Sequence, residues 1–271
     1  MFVSAIIAAG GRGQRLGGAS PKQLLAIGGR PILERSVSAF LAHPSIDEVI
    51  VALPAALAAD PPDYLRRAGK PLRVVAGGER RQDSVAAAFR EVAAQADIVI
   101  VHDAARPFVS ADLIGRTIAA AAESGAAAAA IQARDTVKLA RPPRAGLDGA
   151  NRPSEGSFVR QTLARELIFL AQTPQAFRRD LFQRASALSA DATDEAALAE
   201  QAGYEVRLVH GEASNIKITT ADDLWIAEAL VRSAPASSED GRAPSEHRES
   251  RDRPALSECS ESKGAGWCSA A

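Results

Sequence analysis

Cysteine is almost missing from this chain: of 271 residues only Cys259 and Cys268 carry a thiol, both near the C-terminus. The body therefore has neither a disulfide framework nor a thiolate metal site. An excess of charge is missing too, with 32 basic residues against 33 acidic ones and a formal net charge of -1. That balance gives no electrostatic footprint for nucleic acid or an anionic membrane, so any basic site must be local. No apolar run approaches the length that spans a bilayer, and the opening "MFVSAII" lacks a basic leader and a cleavage pattern. A cytoplasmic protein is expected. The tripeptide Gly-Lys-Ser/Thr is also absent, which excludes a Walker A loop and its hydroxyl-held magnesium.

What is present is enough apolar sequence, 46% of residues, to build one large α/β domain or two small ones. Short runs rich in branched side chains predict strands at 2–8, 48–53, 72–76, 98–102, 126–133 and 205–210. Amphipathic stretches between them predict helices at 31–42, 55–68, 83–95, 111–124, 178–188, 194–202 and 220–231. Strands without strict alternation, separated by helices, indicate a doubly wound, mainly parallel sheet covered on both faces, a Rossmann-like α/β fold. Residues 139–157, "LARPPRAGLDGANRPSEGS", interrupt this order and read as a protruding arm, taken as about 136–160, rather than a domain boundary. From 233 to 271 Leu256 and Trp267 are the only large apolar side chains. That is too little to offset the entropy of ordering the segment, so 1–232 is expected to form the domain and 233–271 a disordered tail.

The first predicted strand runs into "AAGGRGQRLGGASPKQ", a loop with five glycines, no acidic residue, and Arg12, Arg15 and Lys22 along it. A dinucleotide fingerprint would need a third glycine where Leu16 stands and a carboxylate after the second strand, which instead ends "VALP". Glycines allow successive backbone N–H groups to approach an anion, and Arg15 and Lys22 add full charges to them. Such a loop at the C-terminal end of a strand suits a polyphosphate. Taken singly, Arg15 also reads as a solvated loop charge and Lys22 as a helix cap. "VHDAARPF" at 101–108 marks a second strand end of interest, where Asp103 can accept sugar hydroxyls and help organise magnesium and Arg106 can neutralise a phosphate; the alternative is a salt bridge between the two that braces the turn.

Seven segments occur in order: the glycine loop with "PKQ", "GGERRQDSV" (77–85), "HDAARP" (102–107), "RDTVK" (134–138), "AQTPQAF" (171–177), "TDEA" (193–196) and "NIKIT" (215–219). Together they resemble the 2-C-methyl-D-erythritol 4-phosphate cytidylyltransferase family, over residues 2 to about 232. The resemblance implies transfer of a cytidylyl group from CTP to that polyol phosphate, with Mg2+ bridging the phosphates and pyrophosphate leaving. It implies catalytic roles for Arg15, Lys22, Arg165 and Lys217. CTP would lie along Ala8, Ala9, Gly10 and Gly11, with Gly77, Gly78 and Ser84 near the base and Asp103 and Ala104 beside it. The acceptor would meet Asp103, Arg106, Thr136, Arg165, Thr173, Thr193 and Lys217, and Asp103 is the one expected protein contact to magnesium. In the family, the counterparts of Thr136 and Arg165 come from a second subunit, so a homodimer is expected. This sequence departs from the family pattern at Gly10, where alanine is commoner, at Leu16 (methionine), at Phe169 (tryptophan) and at Ala164 (aspartate). Some relatives carry a fused cyclodiphosphate synthase with an Asp-x-His metal motif; no such motif follows residue 232 here, and a single activity is expected.

Overall fold

A computed structural model of the chain describes residues 1–11, 22–141, 158–188 and 191–233, the side chain of Lys22 excepted. Residues 12–21 of the glycine loop, Arg15 among them, most of the Pro- and Gly-rich arm segment and the predicted tail beyond 233 lie outside the described residues. The chain divides into the units Met1–Ala234 and Pro235–Ala271, and only the first is described.

Strand β1 (Val3–Ala8) opens the chain, followed by the two-residue strands β2 (Ala26–Ile27) and β3 (Arg30–Pro31) and helix α1 (Ile32–Ala42). Then come β4 (Glu48–Leu53), α2 (Ala55–Ala59), α3 (Asp63–Arg66), β5 (Leu72–Ala76), α4 (Arg81–Phe89), β6 (Ile98–Asp103), α5 (Ala111–Ser124) and β7 (Ala126–Gln132). The remainder is β8 (Lys138–Ala140), β9 (Val159–Thr162), β10 (Phe169–Arg178), α6 (Arg179–Ala187), α7 (Glu195–Gln201), β11 (Arg207–His210) and α8 (Ala221–Ser233).

Seven strands form one sheet in the order β11-β7-β10-β6-β1-β4-β5. All neighbours pair in parallel except β10, which runs antiparallel to both β6 and β7. Alternate residues of each strand feed opposite faces, as a period of two requires. Ala5 and Ile7 join Val37 and Phe40 of α1 and Leu113 and Ile118 of α5 on one face. Ile6 and Val101 join Val85 of α4 and Phe177 and Phe182 on the other. β7 opens with a run of five buried alanines. Alanine is a poor strand former, but burial between two layers overrides that preference and its small side chain lets α5 sit close.

Helix ends follow local chemistry. Ser110 caps α5 by accepting from Leu113 N at 3.0 Å, and Gly125, at φ 92°, closes it. The helix expected over 55–68 is instead the two short helices α2 and α3, because Pro61 and Pro62 cannot continue the first. The helix expected over 83–95 begins at Arg81 and ends at Phe89. β10 was not expected at all. Pro174 argues against a central strand, yet the register of β10 with β7 shifts between Ala171 and Gln175, so the proline falls where the ladder asks for no donor. β8 and β9 pair as a separate antiparallel ribbon flanking the arm segment. No helix among the described residues is long and apolar enough to cross a membrane.

Phe177 is fully buried and its ring lies 5.3 Å from that of Phe182. Phe177→Ala should cost about 3–5 kcal/mol of stability, read as a lowered urea midpoint with an unchanged denaturant slope.

Candidate active site

Parallel strands bring their C-terminal ends to one edge, and three backbone bonds fix the loops that leave there. Ala9 N donates to Ala52 O at 2.9 Å, Gly77 N to Leu53 O at 2.7 Å, and Ala104 N to Ala8 O at 3.1 Å. Ala8, Ala9, Gly77 and Ala104 are thus held side by side. Gln23, buried, returns the far end of the glycine loop to the same place by donating to Ala9 O at 3.1 Å. Lys22 is adjacent to that anchor in the chain.

The glycines have distinct jobs. A Cβ on Gly10 would stand 2.4 Å from Ser84 Oγ, and one on Gly77 would stand 2.7 Å from the same atom and 3.2 Å from Gly10 Cα. Gly10 and Gly77 therefore let two backbones and Ser84 close on one another. Among the described residues, nothing lies within 4 Å of a Cβ on Gly11. The buried Ser84 hydroxyl accepts from Gly78 N at 3.1 Å and donates to Arg80 O at 3.2 Å, so it pins the turn that leads into α4.

Asp103, the last residue of β6, is the centre of the charged cluster. Its Oδ1 accepts from Arg81 Nε at 2.7 Å and its Oδ2 from Lys217 Nζ at 2.7 Å. Burial alone would push this carboxyl up, but Arg81 and Lys217 outweigh it and hold Asp103 well below the usual carboxylate range. Arg81 Nη1 in turn donates to both oxygens of Glu195, at 2.6 and 2.7 Å. Burial pushes the Glu195 carboxyl up, with Arg81 opposing.

A second group fixes the backbone of Asp103. Its N–H donates to Thr173 Oγ1 at 3.0 Å, and that hydroxyl donates onward to His102 Nδ1 at 3.1 Å. His102 Nε2 lies 3.0 Å from Arg106 O, so the ring is the neutral tautomer protonated at Nε2. Burial drives the His102 pKa down to about 4, the bond to Arg106 O opposing it. With both nitrogens engaged and no exposure, His102 is a packed residue at the strand end.

Arg106, expected at a phosphate or paired with Asp103, has a different set of partners. Its guanidinium is buried, donating to Asn215 O at 2.8 Å and Ala171 O at 3.3 Å. Asn215 donates to Thr173 O at 2.8 Å, and Ile218 N to Ala105 O at 2.9 Å. Arg106 and Asn215 thus clamp the "NIKI" segment against β6 and β10, which delivers Lys217 to Asp103. The physical reason is desolvation: a guanidinium this enclosed takes fixed carbonyls on Nη1 and Nη2, while its Nε is buried without a partner among the described residues.

The structure gathers Asp103, Thr173 and Lys217 by direct contact. Thr193 is exposed, one residue before Asp194, whose side chain accepts from Gln175 Nε2 of β10 at 2.9 Å. Thr136 and Arg165 belong to a separate group at the base of the arm. Both are exposed, and Arg165 Nη1 donates to Arg134 O at 3.0 Å. Arg15 and the Lys22 side chain lie outside the described residues. Arg81, Glu195, Gln23 and Asn215 were not singled out from sequence. Arg81 had a readable signal: it precedes the buried Ser84, Val85 and Ala88 by three, four and seven residues, which puts its charge on the inward face of α4.

A family model described as "IspD: 2-C-methyl-D-erythritol 4-phosphate cytidylyltransferase" matches residues 3–233. The chain belongs to this family. Among cytidylyltransferase relatives, it is 38% identical over 247 residues to the 2-C-methyl-D-erythritol 4-phosphate cytidylyltransferase of Geobacter metallireducens, covering 86% of this chain and 98% of the relative. It is 46% identical over 238 residues to the bifunctional enzyme IspD/IspF of Anaeromyxobacter dehalogenans, but spans only 58% of that protein's length. The crystal structure of the cytidylyltransferase from Thermus thermophilus superposes with a TM-score of 0.67 at 37% identity, covering 86% of this chain and all of the other. The family match spans the sheet, the Asp103 cluster and the arm strands together.

Because His102 is held neutral, the unfolded chain takes up a proton on it between pH about 6.5 and about 4 that the folded protein refuses. Stability should therefore fall as pH drops through that window. His102→Gln, although less stable at pH 7, should lose less between pH 7 and 4.5 in urea titrations; equal losses would contradict the buried neutral ring.

Proposed function

We propose that this chain transfers a cytidylyl group from CTP to 2-C-methyl-D-erythritol 4-phosphate, releasing pyrophosphate. The observation that carries this reading is the meeting of Asp103 and Lys217 at the sheet edge where the glycine loop begins, in a chain of this family. A phosphate monoester has its second pKa near ~6, so at neutral pH the attacking oxygen is already ionised. No proton acceptor is needed, which agrees with the engaged, buried His102. The chemical difficulty is to bring two anions together and stabilise the charge that builds at phosphorus.

In this reading CTP follows the backbone from Ala8 to Gly11, with Gly77, Gly78 and Ala104 beside it, and Ser84 shapes that surface by holding the turn. Arg15 and Lys22 bring charge to the triphosphate. Lys217 is the mobile cation: its side chain is 42% exposed, and its ammonium can exchange Asp103 for the incoming phosphate. Thr173 and Thr193 flank the acceptor, while Arg106 serves as the brace that positions Lys217. Magnesium fits a site of this kind. Among the described residues no three His, Cys, Asp or Glu side chains converge, and Mg2+ commonly takes one carboxylate plus substrate phosphates. Asp103 would be that carboxylate, and the ion would supply neutralisation of phosphate charge.

Phe158, Val159, Leu167 and Leu170, at and near the arm, are all more than half exposed. A second copy would cover these side chains and bring Thr136 and Arg165 to its partner's acceptor site, completing a homodimer. A cytoplasmic setting, with small-molecule substrates and neither nucleic acid nor membrane as partner, belongs to the same reading.

The test is pyrophosphate release from CTP, with and without methylerythritol phosphate and magnesium. Release should require all three; release only with another polyol phosphate, such as ribitol phosphate, would refute the assigned acceptor. Lys22→Ala and Lys217→Ala should each lower kcat about 10²- to 10³-fold, and a change confined to KM would argue against transition-state roles.

A further inference from the structure

The charged cluster continues past the groups that can meet a substrate. Glu195 is 1% exposed and sits behind Arg81, which in turn sits behind Asp103. We propose that Glu195 is a positioning residue for the transfer reaction: by gripping Arg81 with both carboxylate oxygens, it sets how firmly Arg81 holds Asp103. The inference rests on the function proposed above.

Three observations support it. The first is geometric. Arg81 Nη1 is shared between the two Glu195 oxygens at 2.6 and 2.7 Å, while Nε of the same rigid plane meets Asp103 Oδ1 at 2.7 Å. A planar guanidinium fixed at one corner has its other edge fixed too. Since Nη2 is buried without a partner among the described residues, these two carboxylates set the plane of the group.

The second concerns the base on which Glu195 stands. It is the first residue of α7, whose cap Asp194 accepts from Ala197 N at 2.9 Å and from Gln175 Nε2 at 2.9 Å. Gln175 Oε1 accepts from Ala196 N at 3.0 Å. The start of α7 is thereby bolted to β10 two residues from Thr173, the acceptor for the backbone N–H of Asp103. Asp103 is held by one structural unit twice, its backbone through Thr173 and its carboxylate through Glu195 and Arg81.

The third is charge. Lys217, Asp103, Arg81 and Glu195 alternate in sign and sum to zero along the chain of contacts. Without Glu195, the full charge of Arg81 would fall on Asp103 alone, in competition with Lys217. Lys217 must be able to leave Asp103 for a phosphate, so the strength of the Arg81 contact bears directly on turnover. Glu195 meets no reacting atom itself.

A merely structural ion pair would affect melting and little else, which defines the experiment. With the full chain, kcat and the KM for each substrate are measured by pyrophosphate release for wild type, Glu195→Gln, Arg81→Lys and the double variant, alongside thermal melting. Glu195→Gln should lower kcat about 10- to 100-fold with the KM for CTP within about threefold of wild type. Its combination with Arg81→Lys should be little slower than the slower single variant, because both act through one contact. A folded Glu195→Gln with wild-type kcat, or rate losses that multiply in the double variant, would overturn the proposal. If Glu195→Gln does not fold, Glu195→Asp keeps the charge and shortens the reach; it should lose at least about fivefold in kcat, and full activity there would equally overturn it. A wild-type chain that releases no pyrophosphate refutes the proposed function and this inference with it. Wild-type turnover left intact by these substitutions refutes the inference alone.

Discussion

A buried carboxylate between two cations organises this protein. Asp103 ends a fully buried strand and would be costly there as an isolated charge. Arg81 and Lys217 offset that cost, and each arrives from a different part of the chain, α4 and the segment before α8. The sheet provides the place, since β6 neighbours β1 and both end at the same edge. Around Asp103, Thr173 holds its backbone, while Glu195, Arg106 and Asn215 hold the residues or segment that hold its side chain.

Arg106 and Ser84 show how this affects the assignment of roles. Both have side chains that could touch a substrate, and both are engaged inside the protein, Arg106 by two carbonyls and Ser84 by the turn before α4. Desolvation explains the pattern. A charged or hydroxyl group drawn into the interior loses water and takes fixed partners in its place. Lys217, by contrast, pairs with Asp103 through a side chain that is 42% exposed.

The doubly wound architecture was legible because strand runs and amphipathic helices have different periods, and β1, β4, β5 and α5 fall where the apolar pattern puts them. The site was legible as a set of strand-end motifs rather than as a geometry. β10 escaped because Pro174 speaks locally against a strand, and only pairing with β6 and β7 shows that the proline sits at a bulge. Arg81 escaped because Arg80 stands next to it: one is solvent-facing and paired with Asp83, the other turns inward, and composition does not separate them. Glu195 escaped because a lone carboxylate at a helix start reads as favourable interaction with the helix dipole. Tertiary partners, distant in sequence, decide all three.

Strand β10 runs against its neighbours, so it presents its beginning, not its end, to the edge where parallel strands finish. Phe169 and Leu170 are exposed beside the arm, and Thr173 is buried beneath the Asp103 amide. Four residues of extended backbone, about 13 Å at the usual rise, separate those two environments. The outer ribbon and the anchor of the central acid are therefore joined by one short stretch of chain.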